Sequence, residues 1–353
     1  PLRTAAGDLE AQHLFDVRDA WSYVVGDNIG YGVKGFFGAT HYNADNPPFG
    51  AVFTYRLEKG LESASKTRRK AEIEIEKEGG DTPYPSWEAL RAEDREEDPA
   101  VMLIVRDTDG NVVRRVAGKT GAGVHRTAWD LRYPPTDPVD LSTPVSVPWA
   151  SPPQGPLAAP GEYTVSLAVR QNGALEEVAG PKTFTVKSMP QGKETSLDLS
   201  AVTAFQRKAG ELYRAVAGAS ALTGELNTRI THLKAALTDT PAADESHEQR
   251  LRQIKTRLDD LVVALNGDRT VASRNEATPW SISRRAGAVY GLLLNVRSDV
   301  PEMYESSYAM AASAFRSALT DLRGIERDLT ALEETLERMG SPHTPGRVPV
   351  WQE

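Results

Sequence analysis

The stretch that decides the fold runs from 123 to 167, opening with GVHRTAWDLRYPP (residues 123–135) and closing with PGEYTVSL (residues 160–167). His125, Thr127 and Trp129 fall on one face of an alternating run that ends at Asp130-Leu131-Arg132-Tyr133-Pro134. After a Pro-rich excursion, Pro160-Gly161 turns into a second run with Tyr163, Val165 and Leu167 on one face. Alternation of period two, bounded by Pro and Gly, marks half-buried strands. Trp129, Asp130 and Tyr163 are read as structural, with Trp129 as the buried anchor of the corner.

Working outward, β patterns flank this centre. Asn46-Pro47-Pro48-Phe49-Gly50 is a turn, since the prolines fix φ and disfavour helix before them. A strand over 51–57 follows, with Val52, Thr54 and Arg56 on one face and Phe53, Tyr55 and Leu57 on the other. Residues 101–106 and 112–116 form a hairpin around Asp107-Thr108-Asp109-Gly110-Asn111. That D-x-D-G string is a turn and not a calcium loop, because the twelfth position is Gly118 where an EF-hand needs Glu. Runs at 165–170 and 174–178 form a second hairpin, and 182–187 is the last strand.

Two stretches interrupt the β pattern. Residues 58–98 are dense in charge, with Glu three or four positions from Lys or Arg, which predicts exposed helices peripheral to the core. Residues 134–160 are rich in Pro, which has no N–H to give a sheet, so a surface excursion is expected there. Residues 1–50 carry Phe15, Trp21, Tyr23, Tyr31, Phe36, Phe37 and Tyr42 without clean periodicity. They are expected to lie on a propeller partner or on the chain's own sandwich, with the rings as anchors.

From 195 the period changes to that of helices. Apolar residues from Leu199 to Leu237 recur at three and four, which predicts one amphipathic helix of about 40 residues. Leu251, Ile254, Leu258, Leu261 and Leu265 mark a second, and Thr278-Pro279 opens a third. Tyr308, Phe315, Leu322, Leu329 and Leu336 repeat every seven, with Ala311, Ala318, Ile325, Leu332 and Met339 between them. This heptad predicts a helix over 302–339 about 57 Å long, packed at about +20°. The expected fold class is α+β. An immunoglobulin-like β-sandwich over 51–190 carries a helical insert at 58–98. An antiparallel four-helix bundle over 195–340 follows, then an extended tail at 341–353.

Composition limits the chemistry. The 353 residues carry a net charge of −8, with no clustered basic surface of the kind nucleic acid requires. There is no cysteine, and no apolar run nears the roughly 20 residues of a membrane span. The chain opens Pro-Leu-Arg-Thr, without Met or the apolar core of a signal peptide. It is read as a processed chain or, preferably, as a piece of a longer one. Six histidines at 13, 41, 125, 232, 247 and 343 have no ligand spacing. No nucleophile elbow, phosphate loop or dinucleotide fingerprint occurs. Accordingly no catalytic residue, metal or cofactor is assigned. The candidate binding residues are Arg269, Arg274, Asn275 and Glu276, in a polar loop before the third helix, with Trp149 and Trp280 as aromatic platforms.

Two resemblances add to this reading. The order G-V-H-R-T-A-W-D-L-R then P-G-E-Y-T-V-S-L resembles the immunoglobulin-like domain of flagellar hook-capping proteins, with Leu131 and the Pro-rich excursion replacing its usual short loop. More broadly, NPPFGAVFTYRL, YPSWEALRAEDREE, PWASPPQGPL, GDRTVASRNEATP and TPGRVPVW resemble the C-terminal region of exported bacterial proteins built on sortilin-type, sialidase-like β-propellers, commonly labelled glycosyl hydrolases. The Asp-box repeats of such propellers are absent from this sequence, so no catalytic residue carries over. The resemblance implies an exported chain, periplasmic or at the cell surface. Its partner would be a β-propeller domain or chain, or further envelope proteins or glycans. Two functions stay open: a non-catalytic accessory module that positions the propeller or recruits a partner, or a glycosidase or carbohydrate-binding subunit whose catalytic part lies in the propeller.

Overall fold

The computed structural model describes residues 10–24, 40, 42, 44, 46–141, 152–189 and 198–351. These fall into two units. One takes in the described residues up to 134 and 157–189, the other residues 135–141, 152–156 and 198–351.

The first unit holds the strands β1 (Gln12–Leu14), β2 (Ala20–Ser22), β3 (Ala51–Leu57), β4 (Ala100–Arg106), β5 (Val112–Gly118), β6 (Gly123–Trp129), β7 (Gly161–Gln171) and β8 (Ala174–Ser188). In β3 alternation decides the faces: Ala51, Phe53, Tyr55 and Leu57 are buried, while Val52, Thr54 and Arg56 face outward. β3 pairs antiparallel with β6 in a register that sets Ala51 opposite Trp129 and Tyr55 opposite His125, and β1 takes its other edge. The remaining strands form a mixed sheet in the order β2-β8-β7-β4-β5, where β2 runs parallel to β8. Irregular register between β7 and β8 near Val165 and Leu167 adds local twist, and both faces of β7 are buried from Val165 to Val169. Phe53, Trp129, Leu103, Tyr163 and Phe184 share one core drawn from both sheets.

Between β3 and β4 lie α1 (Ala64–Lys77) and α2 (Trp87–Arg95), capped by Ser63 and Ser86, whose hydroxyls accept from Lys66 and Ala89 N–H. Neither helix contributes a buried residue.

The second unit consists of α3 (Leu199–Thr238), α4 (Glu245–Asn266), α5 (Arg269–Ala272), α6 (Ile282–Leu293) and α7 (Glu302–Arg338). Leu226, Leu233, Leu258, Leu265, Ile325, Leu329 and Leu336 form its centre. The amide of Gln206, itself buried, donates to the carbonyls of Leu293 and Val296 at 2.6 and 3.0 Å. It thereby satisfies the carbonyls left open where α6 ends.

The expected immunoglobulin-like sandwich followed by a four-helix bundle is overturned. The chain is a mixed α+β protein with seven helices and two sheets, one of them curled into a half-barrel. The sheets have three and five strands, and the larger is mixed because of β2. Alternation dictates which side chains turn inward, but not which strands pair. In the helical unit, α6 has 12 residues and α5 four, against 40 in α3 and 37 in α7. At about 1.5 Å per residue α6 reaches about 18 Å, so four helices do not run its length together.

Candidate functional site

The corner residues read as structural come together in the first unit. Trp129 is 1% exposed, and its indole N–H donates to the Arg132 carbonyl at 2.9 Å. Its ring lies 5.4 Å from Tyr163 and 6.3 Å from Phe184, edge to face. The Asp130 carboxylate accepts from Arg132 N–H at 3.1 Å, an Asx turn that lets the next residue, Leu131, sit at φ 55°. Tyr163 donates its hydroxyl to the Ala159 carbonyl at 2.7 Å. Gly50 has to be glycine: at φ 102° a Cβ would fall 1.8 Å from the Trp129 carbonyl oxygen.

The candidate binding residues are scattered. Trp149 lies outside the described residues. Arg269 opens α5, while Arg274, Asn275 and Glu276 follow it, all four exposed. Their polar groups serve the loop itself. Asp268 accepts from Thr270 and Val271 N–H, Arg274 donates to the Thr270 carbonyl at 2.6 Å, and Asn275 takes φ 58°. Trp280, 46% exposed, stands apart from them in function. The guanidinium of Arg284 lies over its ring at 4.8 Å and that of Arg285 at 5.8 Å.

Trp280 lines an open groove of about 610 Å³ between α4 and α7. Leu261, Ile282, Ala318 and Ile325 make its buried floor, and Asp260, Ala264, Ala314, Ser317 and Asp321 its walls. Sequence reasoning passed over these wall residues. Their only signal was a run of small side chains on α7, one position outside the heptad.

A second concavity, about 560 Å³, lies on the first unit between Asp16, Arg18 and Asp19, the turn Pro47-Pro48, and Val52 and Arg126 on the outer face of β3 and β6. Beside it β2 and its continuation expose Trp21, Tyr23 and Val24. Tyr23 packs edge to face on Phe49 at 4.9 Å, and the Lys187 ammonium stands 6.0 Å from the Trp21 ring. Hydrogen bonding to Lys182 holds the Asp16 carboxyl below the usual carboxylate range, and bonding to Lys187 and to Thr185 N–H does the same for Asp19.

Elsewhere, too, the shifted carboxyls are shifted down. Arg68 lowers Glu93, Arg106 lowers Glu177 and Arg257 lowers Asp328. A carboxyl serving as general acid is shifted the other way. Among the described residues no three acidic or imidazole side chains converge as metal ligands, and no helix is long and apolar enough to cross a membrane. Comparison with protein families, curated proteins and solved structures finds no match for the chain.

Proposed function

We propose that the chain is a non-catalytic accessory module of an exported bacterial β-propeller protein, positioning the propeller or joining it to a cell-envelope partner. The observation that carries this reading is the apolar margin of the first unit, where Trp21, Tyr23 and Val24 are exposed side by side along β2 next to an open concavity. Large aromatic side chains left in water on consecutive positions suit a protein–protein contact. The ion pairs Asp16–Lys182 and Asp19–Lys187 hold that margin against β8, so little ordering would be lost on docking. A specific contact would bury at least about 1,000 Å² in total.

The test places a photo-crosslinking residue at Trp21 or Tyr23 of the full chain in native envelope and identifies the products by mass spectrometry. Cross-links to a β-propeller are expected, reduced when Val24→Lys is introduced in the crosslinker-bearing chain. The full chain is also assayed on aryl-glycosides and sialosides, with turnover expected at background. Turnover that disappears on one Asp→Asn or Glu→Gln change would overturn the accessory reading, and cross-links that never include a propeller would overturn the partner.

A further inference from the structure

We infer that the groove between α4 and α7 is a docking site for a basic amphipathic helix of a partner protein. The groove belongs wholly to the helical unit and does not depend on the proposed propeller contact. Its shape comes from side-chain size. Ala264 on one wall and Ala314 and Ser317 on the other leave the space that longer side chains would fill, and small residues let a further helix approach to about 8–10 Å. From Ala314 to Ile325 the α7 wall spans eleven residues, about 16 Å or three helical turns. That length takes the anchors of one amphipathic helix at i, i+3 or i+4, and i+7.

Charge selects the occupant. Arg257 pairs with Asp328 at 2.6 Å, and its guanidinium lies close over Gly324, so the groove's own cation is neutralised. Lys255 pairs with Asp259. The same contacts set α4 and α7 in antiparallel register, which brings Asp260 and Asp321 to similar heights on facing walls. Among the described residues neither carboxylate has an ion-pair or hydrogen-bond partner. Two unneutralised carboxylates above an apolar floor favour a helix that brings a Lys or Arg between them and repel an acidic one. Trp280, half-exposed at one end, supplies the large aromatic surface at which interface energy concentrates.

The probe is a fluorescein-labelled synthetic helix with Leu and Ala on one face and Lys beside them. Two controls replace every Lys by Glu or place a Pro at its centre. Titrated by anisotropy against the full chain, the Lys helix is expected to bind at least about tenfold more tightly than either control, and more weakly as salt is raised. Asp260→Asn with Asp321→Asn should weaken it at least about tenfold, and Ala314→Trp, which fills the groove, should remove it. Unchanged circular-dichroism melting shows that the variants fold. If Ala314→Trp disturbs folding, the double Asn variant, which keeps side-chain volume, decides. Equal binding of the Lys and Glu helices, no binding, or binding indifferent to the double Asn change would overturn the proposal. So would sedimentation showing a dimer that Ala314→Trp dissociates, because the groove would then belong to a second copy. Loss of the propeller cross-links from Trp21 or Tyr23 would leave this result untouched.

Discussion

Trp129 serves the β unit in two ways, by filling volume and by closing the corner after β6 through its bond to the Arg132 carbonyl. Trp129→Ala removes both and is expected to cost about 3–5 kcal/mol, read as a lower urea midpoint. Trp129→Phe keeps much of the volume and strands the carbonyl, for a loss of about 1–3 kcal/mol. An unchanged midpoint in Trp129→Ala would refute the anchor. Arg229 and Glu333 pose the opposite problem, a charge in the helical core. Glu333 is buried and receives Arg229 Nε at 2.9 Å and Nη2 at 2.5 Å, while Nη2 also reaches the Thr330 hydroxyl. Arg229→Met leaves that carboxylate unpaired and should cost about 3–5 kcal/mol, whereas adding Glu333→Leu should recover most of it. A double variant no more stable than Arg229→Met would show that the charge is not what matters. Trp129 was legible in the sequence because alternation and the Pro-bounded corner both point inward. The Arg229 pair was not, since its residues are 104 apart and one Glu among many gives no sign that it turns inward.

At the scale of elements, α1 and α2 stand without a core of their own. Arg68 joins them, giving its Nε and Nη2 to the Glu93 carboxylate at 2.7 and 2.8 Å and its Nη1 to Glu72 at 2.6 Å. Glu96 accepts from Ala64 N–H at 2.7 Å. Glu93 is held below its ordinary value by Arg68. Its contribution is therefore present above the normal carboxylate pKa and lost as pH falls through the lowered one. Hydrogen exchange over 64–95 should accelerate on acidification and on Arg68→Ala, with little change in global melting. Protection that is indifferent to both would show that the pair of helices is held otherwise. The charge pattern predicts these two helices and their exposure, and α7 likewise follows from its heptad. Ala311, Phe315, Leu322, Ile325, Leu329 and Leu336 are buried there, while Tyr308 is only half-buried beside Phe205. Strand partnership is what local pattern cannot carry. β2 has three residues and pairs with β8, 166 positions on, so nothing near Ala20 announces it. The mistaken sandwich came from that gap, and so did the neglect of the groove walls, which exist only once α4 and α7 are side by side.

At the scale of the molecule, the chain does not divide at one point. Residues 135–141 and 152–156 precede β7 and β8 in sequence but belong to the helical unit. Tyr213 of α3 donates its hydroxyl to Asp137 at 3.0 Å, and Tyr290 of α6 donates to the Gln154 carbonyl at 3.0 Å. The two rings stack at 5.1 Å. Burial, followed by the bond to Asp137, raises the Tyr213 phenol, so the hydroxyl stays a donor through the physiological range. Close packing against α3 depends on Gly210, where a Cβ would meet Tyr290 at 3.1 Å and Thr136 at 3.3 Å. A chain cut between Met189 and Asp198 is therefore expected to stay together, because its N-terminal fragment supplies part of the helical unit. With a protease site inserted there and cleaved, the two fragments should co-elute in size exclusion. Replacing 135–156 by a Gly/Ser linker, or crowding the contact with Gly210→Leu, should let them separate after cleavage. Fragments that part at once in the otherwise unaltered chain would show that the excursion contributes nothing to the helical unit's hold on it.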